Sequence, residues 1–357
     1  MQIVSLVHQT EKPSVEVDYG SAYEFLLSLC AYTRSDVGSN FDVGPQWFEL
    51  IRSKASPELL ADIQEFSRGF AKVWGHLLGL VYTSPPPRDV PVFLSLVQKT
   101  SALEVTLHLL GYYLQTHRGP TPLEVIYCAA QGDQDAISHF LETSFPEDRT
   151  WQAFASHLLD IGREEAKKLL IEVLKRWYEE VFQSREAEIV PILAADAQAK
   201  RKMTLGLPVE QVVELATNGV IYSPEPGIRK VLLVPTWIFR PWILISEYRD
   251  TKIFCYPVEP YHVANSSAEP PAHLTSLCKA LADETRLRVL KLLGTGSYTL
   301  QEITDRMGLA KSTVHHHLTI LRIARLIAVI EGEEKRYRLN PDRIASISAV
   351  LAEYIGR

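Results

Sequence analysis

Apolar positions recur at intervals of three and four along most of the chain up to about residue 218, the period of helices with one buried stripe. The clearest stretches are SAYEFLLSLCAYTR (21–34), SPELLADIQEFSRGFAKVWGHLLGLVY (56–82), ALEVTLHLLGYYLQTH (102–117) and TWQAFASHLLDIGREEAKKLLIEVLKRWYEEVFQ (150–183). In the last, Leu169, Leu170, Val173, Leu174 and Trp177 fall on one face. From Gly219 the period shortens, and GVIYS, KVLLVP, WILISEY and KIFCYPV read as short strands of a small sheet. The run VLLVPTWIFRPWILIS (231–246) is broken by Pro235, Arg240 and Pro241, which makes it a poor membrane span and a better pair of buried strands around a turn.

The stretch VEPYHVANSSAEPPAHL (258–274) is polar and proline-marked, so residues 261–271 are expected to link an N-terminal domain, 1–260, to a C-terminal one, 272–357. Beyond it the pattern is dense. LCKALADETRLRVLKLL (277–293) predicts two helices, the second capped by Asp283. TLQEITDRMGLAKSTVHHHLTILRIARL (299–326) predicts a short helix with Leu300, Ile303 and Met307 inward, a left-handed turn at Gly308, and a second helix opening at Lys311. The inward stripe of that second helix is Val314, Leu318 and Leu321. LIAVIEGEEKRYRL (326–339) reads as a two-stranded wing turning at Gly332. This is the layout of a winged helix-turn-helix, whose second helix enters the major groove.

The three histidines in KSTVHHHL do not make a metal site. Successive helical residues point about 100° apart, and the positions four on from His315, His316 and His317 are Thr319, Ile320 and Leu321. With Val314 and Leu318 inward, Ser312 and His316 face out, Thr313 and His315 flank them, and His317 leans toward the core with its polar tip expected to be hydrogen-bonded. The expected DNA-contacting set is Lys311, Ser312, Thr313, His315 and His316 on the helix, with Lys335, Arg336 and Arg338 on the wing. A stripe of Ile344, Ile347, Leu351 and Tyr354 in the last segment is expected to pair with Leu274, Leu277 and Leu281 of this chain or of a second copy.

Charge sharpens the division. The net charge is −6, yet from Pro270 onward thirteen Lys/Arg stand against nine Asp/Glu, and the rest carries 24 against 34. A basic terminal module on an acidic body suggests that only the module meets a polyanion. Apolar residues make up 46% of the chain, which is ordinary globular composition. Cys30, Cys128, Cys255 and Cys278 are scattered, and the first residues lack a signal-peptide pattern, so a cytoplasmic protein with reduced thiols is expected. The usual hydrolase, metalloprotease, dinucleotide and P-loop motifs do not occur. GTGS (294–297) reads as a turn, Asp133 or Asp135 as a helix start, and His76, His108 and His157 as packed or solvated side chains. No enzyme, metal or cofactor is expected.

LADETRLRVLKLL, LAKSTVHHHLTILRIARLI and EGEEKRYRL together resemble the ArsR/SmtB family of bacterial winged-helix repressors over about residues 272–345. The resemblance implies a homodimer formed through the terminal helices, bound to an imperfect palindrome and released or altered by an inducer. The family's metal-sensing thiol pair is missing from TLQEITDRM, and the terminal helix lacks the Asp/His pairs of zinc-sensing members, so those sites do not carry over. Arg325 stands where the family has Gly, Thr304 where a small Ala is common, and Glu331, Glu333 and Glu334 make the wing tip acidic. LLVPTWIFRPWILI with FCYPV resembles the aromatic hairpin of an accessory domain found before some such modules.

The fold expected is therefore mainly α and multi-domain: a helical N-terminal domain with a small sheet, then a winged helix-turn-helix. The function expected is a dimeric DNA-binding repressor modulated by a non-metal signal through the N-terminal domain. A small-molecule effector would sit in a pocket lined by Trp237, Phe239, Trp242 and Tyr248, unless these aromatics are simply core. The alternatives for the N-terminal domain are a protein-interaction or oligomerisation module, using helix 150–183 as its surface, and an enzyme tethered to the DNA reader.

Overall fold

The structure, a computed structural model, describes residues 12–34, 41–115, 120–217, 219–259, 272–330 and 334–355. The expected linker 261–271 and the wing-tip residues Glu331, Gly332 and Glu333 lie outside them.

The body before residue 260 is built on a four-stranded sheet: β1 (Ser14–Val17), β3 (Lys230–Thr236), β5 (Thr251–Pro257) and β4 (Leu244–Tyr248), in the order β1-β3-β5-β4. The first three are parallel and β4 runs antiparallel to β5. Both faces of β3 and β5 are covered, which explains their nearly unbroken apolar runs. Leu232, Val234, Ile253 and Cys255 point into the large helical core. Val231, Leu233, Phe254 and Tyr256 point the other way, onto Ala197, Val209, Val212 and Val213 of helices Gln183–Met203 and Val209–Thr217.

Two sequence expectations are corrected here. The sheet is not confined to residues 219–258, because β1 joins it from more than two hundred residues away. A parallel strand arrives by a crossover, so local periodicity carries no sign of its partner. Nor is 231–246 a hairpin: β5 lies between β3 and β4, and the true hairpin is β4–β5, turning at Arg249 with φ of 55°.

The helical stretches are also more broken than their periodicity implies. Residues 56–82 form helices Pro57–Ser67, Val73–His76 and Leu78–Thr83, the first capped by the Ser56 hydroxyl and ended by left-handed Arg68. Of residues 102–115, only Ala102–Leu109 is helical, and the rest of the predicted stretch lies outside the described residues. The stretch 150–183 is two helices, Arg149–Ile161 and Arg163–Trp177, separated at Gly162 and followed by a π-helical turn over Tyr178–Phe182. Of its apolar stripe, Leu170, Val173, Leu174 and Trp177 are fully buried and Leu169 packs partly against the same core, and the Trp177 indole donates to Ser28 Oγ at 2.9 Å. That stripe fills the body's core and is not a free interaction surface.

Helix Ser21–Thr33 runs through the middle of the body, buried nearly all round. Its Glu24 carboxylate accepts the backbone N–H groups of Trp237 (3.0 Å) and Ile238, so it satisfies the chain where it leaves β3. Burial there pushes the Glu24 carboxyl up to about 7.

The terminal module has its own core, with Leu277, Val289, Leu293, Ile303, Val314, Leu318, Leu321 and Tyr337 among its buried members. Its sheet contains β6 (Tyr298–Thr299), β8 (Arg336–Leu339) and β7 (Ile327–Ile330), antiparallel throughout. A fourth strand comes from the body: β2 (Val220–Ile221) pairs in parallel with β7, Val220 opposite Val329 and Ile221 opposite Ile330. The segment GVIYS therefore belongs to the wing's sheet and not to the body's. Gly219 makes the approach possible, with φ of 115° and a Cβ position only 3.3 Å from Ala328 Cβ.

Candidate nucleic-acid interface and the cavity beside it

Helix Leu300–Met307 starts with a capping box, in which Thr299 Oγ1 accepts from Glu302 N–H and Glu302 accepts from Thr299 N–H. It ends at Gly308, φ 66° and ψ 33°, the left-handed turn residue expected. Leu309 packs on the module core and helix Lys311–Ile323 begins. Its residue before the first turn is Ala310, which offers no side-chain cap, so the leading N–H groups have no side-chain acceptor.

Val314, Leu318 and Leu321 anchor this helix and fix which face is outward. Lys311, Ser312, Thr313, His315 and His316 are all exposed. The helix thus presents one cation, two hydroxyls and two imidazoles beside an uncapped N-terminus. Partial burial, with the Arg322 and Lys335 charges nearby, lowers the His315 pKa below its usual value. The ring is therefore neutral at neutral pH, able to donate from one nitrogen and accept at the other. His317 does sit at the core margin, but its Nδ1 lies 3.9 Å from Asp283 Oδ1 and has no hydrogen bond. Asp283 Oδ1 accepts the Arg286 N–H as the cap of helix Glu284–Leu293.

The wing cations are not free as the sequence suggests. Arg336 donates to Ser297 O at 2.8 Å and to Glu302 at 3.0 Å, tying the wing to the first helix of the motif. Arg338 is held by Glu214 of the body at 2.5 Å. Lys335 is exposed and lines a cavity between body and module.

That cavity, about 480 Å³, is lined from the body by Cys30, Phe70, Leu110 and Phe239, and from the module by Ile327 and Val329. Phe239 is the one member of the expected aromatic set that lines it. Trp237 lies under the Arg185 guanidinium, and Tyr248 stacks on His108 at 5.5 Å between ring centres. Trp242 is buried between two guanidinium groups, Arg34 of the body at 5.4 Å and Arg322 of the recognition helix at 4.7 Å. Trp237, Phe239 and Trp242 lie in the turn between β3 and β4, and of the four only Tyr248 is on a strand.

Arg325 adopts the left-handed conformation, φ 61°, that the sequence pattern demands at this corner. Its side chain reaches Glu259 at 3.7 Å, which also accepts Lys200 Nζ at 2.8 Å. The left-handed residue costs about 1 kcal/mol relative to Gly, and Arg325 brings a contact to the body that Gly would not supply. These ties between body and module, at Glu214, Trp242 and Glu259, carried no sequence signal: each joins residues more than sixty positions apart.

Of the residues assigned to dimerisation, Leu274 and Leu277 are buried, and Leu281, Ile344 and Ile347 pack partly on the module core. Leu351 and Tyr354 are exposed, with Ile355 beside them, on helix Ile347–Ile355.

A three-helix motif with a left-handed corner, an outward polar helix face and a short wing defines a winged helix-turn-helix DNA-binding module. Residues 283–329 match the family described as bacterial regulatory protein, arsR family. The HTH-type transcriptional regulator CmtR of Mycobacterium tuberculosis is 35% identical over 83 residues, which are 23% of this chain and 70% of that protein. An uncharacterized HTH-type transcriptional regulator of Methanocaldococcus jannaschii is 38% identical over 77 residues, 21% of this chain and 86% of that protein. Among solved structures, an ArsR-like transcriptional regulator from Rhodococcus is 29% identical, with a TM-score of 0.22 over 24% of this chain and 80% of that one. The chain belongs to the ArsR family of bacterial regulatory proteins. Among the described residues no helix is long and apolar enough to cross a membrane.

Proposed function

We propose that this DNA-binding regulator is a homodimeric repressor that reads an imperfect palindrome and answers to a non-metal signal received by the body. The observation that carries the reading is the exposed face Lys311, Ser312, Thr313, His315 and His316 beside the uncapped N-terminus of its helix. In a major groove the leading N–H groups and Lys311 suit phosphate, while Ser312, Thr313, His315 and His316 reach base edges. The exposed Leu351, Tyr354 and Ile355 suit a two-fold contact between terminal helices, which would set two recognition helices about one DNA turn apart. The body's contacts to Arg322, Arg325 and Arg338 supply a route by which a signal in the body reaches the DNA-facing elements.

Binding of the purified chain to DNA from upstream of its own gene, against a scrambled duplex, at two salt concentrations, tests this. Preferential binding that survives the higher salt is expected. Equal and salt-sensitive binding to both duplexes would reject sequence-specific reading of that site.

A further inference from the structure

The wall of the cavity between body and module includes the strand pair that joins them. Val220 of β2 and Val329 of β7 are opposite one another in that pair, and both line the cavity. Phe70, Leu110 and Phe239 contribute from the body, and Ile327 continues the module's side. Cys30 adds a thiol that burial pushes up to about 12, so it stays neutral and behaves as a small apolar side chain.

The polar groups of the wall are engaged by the protein itself. Ser246 Oγ donates to Gly75 O at 2.9 Å, Thr217 Oγ1 donates to Val213 O at 2.6 Å, and His76 Nδ1 meets Leu109 O at 2.9 Å. Arg325 is paired with Glu259, Lys72 stands near the opposite charge of Asp148, and Arg34 lies on the face of Trp242. Arg322 lies against the same ring and has a further partner, and Lys335 is engaged as well. An ion entering this space would have to take those partners over, and an ion buried without one is costly. The apolar wall requires no such exchange, because a hydrocarbon or aromatic surface simply displaces water from it. The volume, about 480 Å³, is that of an ordinary small-molecule site.

We infer that this cavity binds a small neutral molecule, largely hydrocarbon or aromatic, seated against Phe70 and Phe239 of the body and Val329 of β7. The inference deepens the reading of the body as the receiver of a non-metal signal, and rests on that reading for its regulatory meaning but not for the binding itself. A molecule that touches both sides favours the state in which β2 stays paired with β7 and Arg338 stays on Glu214.

The test uses the full chain, without DNA, and the neutral fluorescent probe N-phenyl-1-naphthylamine. A saturable fluorescence rise with one site per chain is expected, displaced by neutral 2-naphthol about tenfold more effectively than by 2-naphthoate. Val329→Phe puts a larger side chain into the cavity, and Phe145→Ala removes an aromatic that lines it and is already partly exposed. Each should weaken probe binding several-fold, whereas Leu351→Ser, at an exposed position of the terminal helix, should leave it unchanged. Melting temperatures matched to wild type without ligand would show these variants are folded, and 2-naphthol should raise that of wild type more than that of Val329→Phe. No saturable rise, displacement by 2-naphthoate as effective as by 2-naphthol, or unchanged affinity in both cavity variants would each overturn the inference. So would loss of probe binding in Leu351→Ser alone, which would assign the probe to the surface of the terminal helix. Probe binding that leaves the affinity for upstream DNA unchanged would uphold the site and reject the sensor reading. Because the binding assay contains no DNA, its failure leaves the DNA-binding reading standing, and failure of the upstream-DNA assay leaves this one standing.

Discussion

Glu214→Gln is the sharpest perturbation of the contact between body and DNA module. In the native chain Glu214 holds Arg338 at 2.5 Å, and both side chains are about two-fifths exposed. A pair so wetted contributes ~0–1 kcal/mol to stability, so the substitution should move the melting temperature by no more than a few degrees. Its effect on DNA binding should be larger, because it strips a wing guanidinium of its neutralising partner. One further phosphate contact steepens the dependence of log K on log salt by about 0.9. Titrations of the same duplex at four salt concentrations, read by fluorescence anisotropy, should therefore give a slope steeper by about one for Glu214→Gln. Arg338→Gln alone should leave the native slope unchanged, and the double variant should return to it. A Glu214→Gln slope equal to wild type would refute the reasoning, since it would mean Arg338 lies out of reach of phosphate even when released.

Four further outcomes are expected. His316→Ala and Ser312→Ala should reduce discrimination between operator and random DNA by ~1–3 kcal/mol, and equal loss on both duplexes would assign them to backbone only. Lys311→Ala should weaken binding to all sequences and flatten the salt slope by about one, an unchanged slope counting against a phosphate contact. At Gly308, φ is 66° and no heavy atom lies within 4 Å of the added Cβ, so Gly308→Ala tests backbone strain alone. It should cost ~1–2 kcal/mol in urea unfolding, and a neutral result would mean the corner relaxes. Buried Glu24 has its carboxyl raised to about 7, so the native state binds a proton more readily than the unfolded chain. Its contribution is full at acid pH and falls as pH rises from about 4.5 to about 7 by roughly 3 kcal/mol. Glu24→Gln should flatten the melting profile over that window, and parallel profiles would contradict the assignment.

The terminal module was legible because its signals are local. Gly308 in a left-handed turn, the Asp283 cap and the stripe Val314, Leu318, Leu321 each follow from residues within a turn or two of one another. The outward placement of Lys311, Ser312, His315 and His316 then follows from helix geometry alone. The body was legible only as helices and a few strands. Its central strand order depends on β1 finding β3 across most of the chain, a pairing that no window contains. The cavity escaped for a related reason: Cys30, Phe70, Leu110, Phe239 and Val329 lie in distant stretches, and each alone reads as an ordinary core residue. Of the aromatic set only Phe239 lines the cavity, because Trp237, Phe239 and Trp242 fall in the irregular turn between β3 and β4, where no periodicity says which way a side chain points. The partners of Arg338 and Arg336 were not legible, because charge alone does not reveal that Glu214 and Glu302 stand opposite.

The pairing of β2 with β7 has a practical consequence. A terminal strand of a sheet carries a row of backbone groups seeking partners, and an open one invites pairing with a neighbouring molecule. Here the body supplies the cover, two residues long, for the outer edge of the wing. A fragment cut at residue 272 would keep its hydrophobic centre and its helix-turn-helix but bare that edge at Val329 and Ile330. Such a fragment would tend to stick to itself through the wing, so its self-association would report the missing cover and not the contacts made by the intact chain.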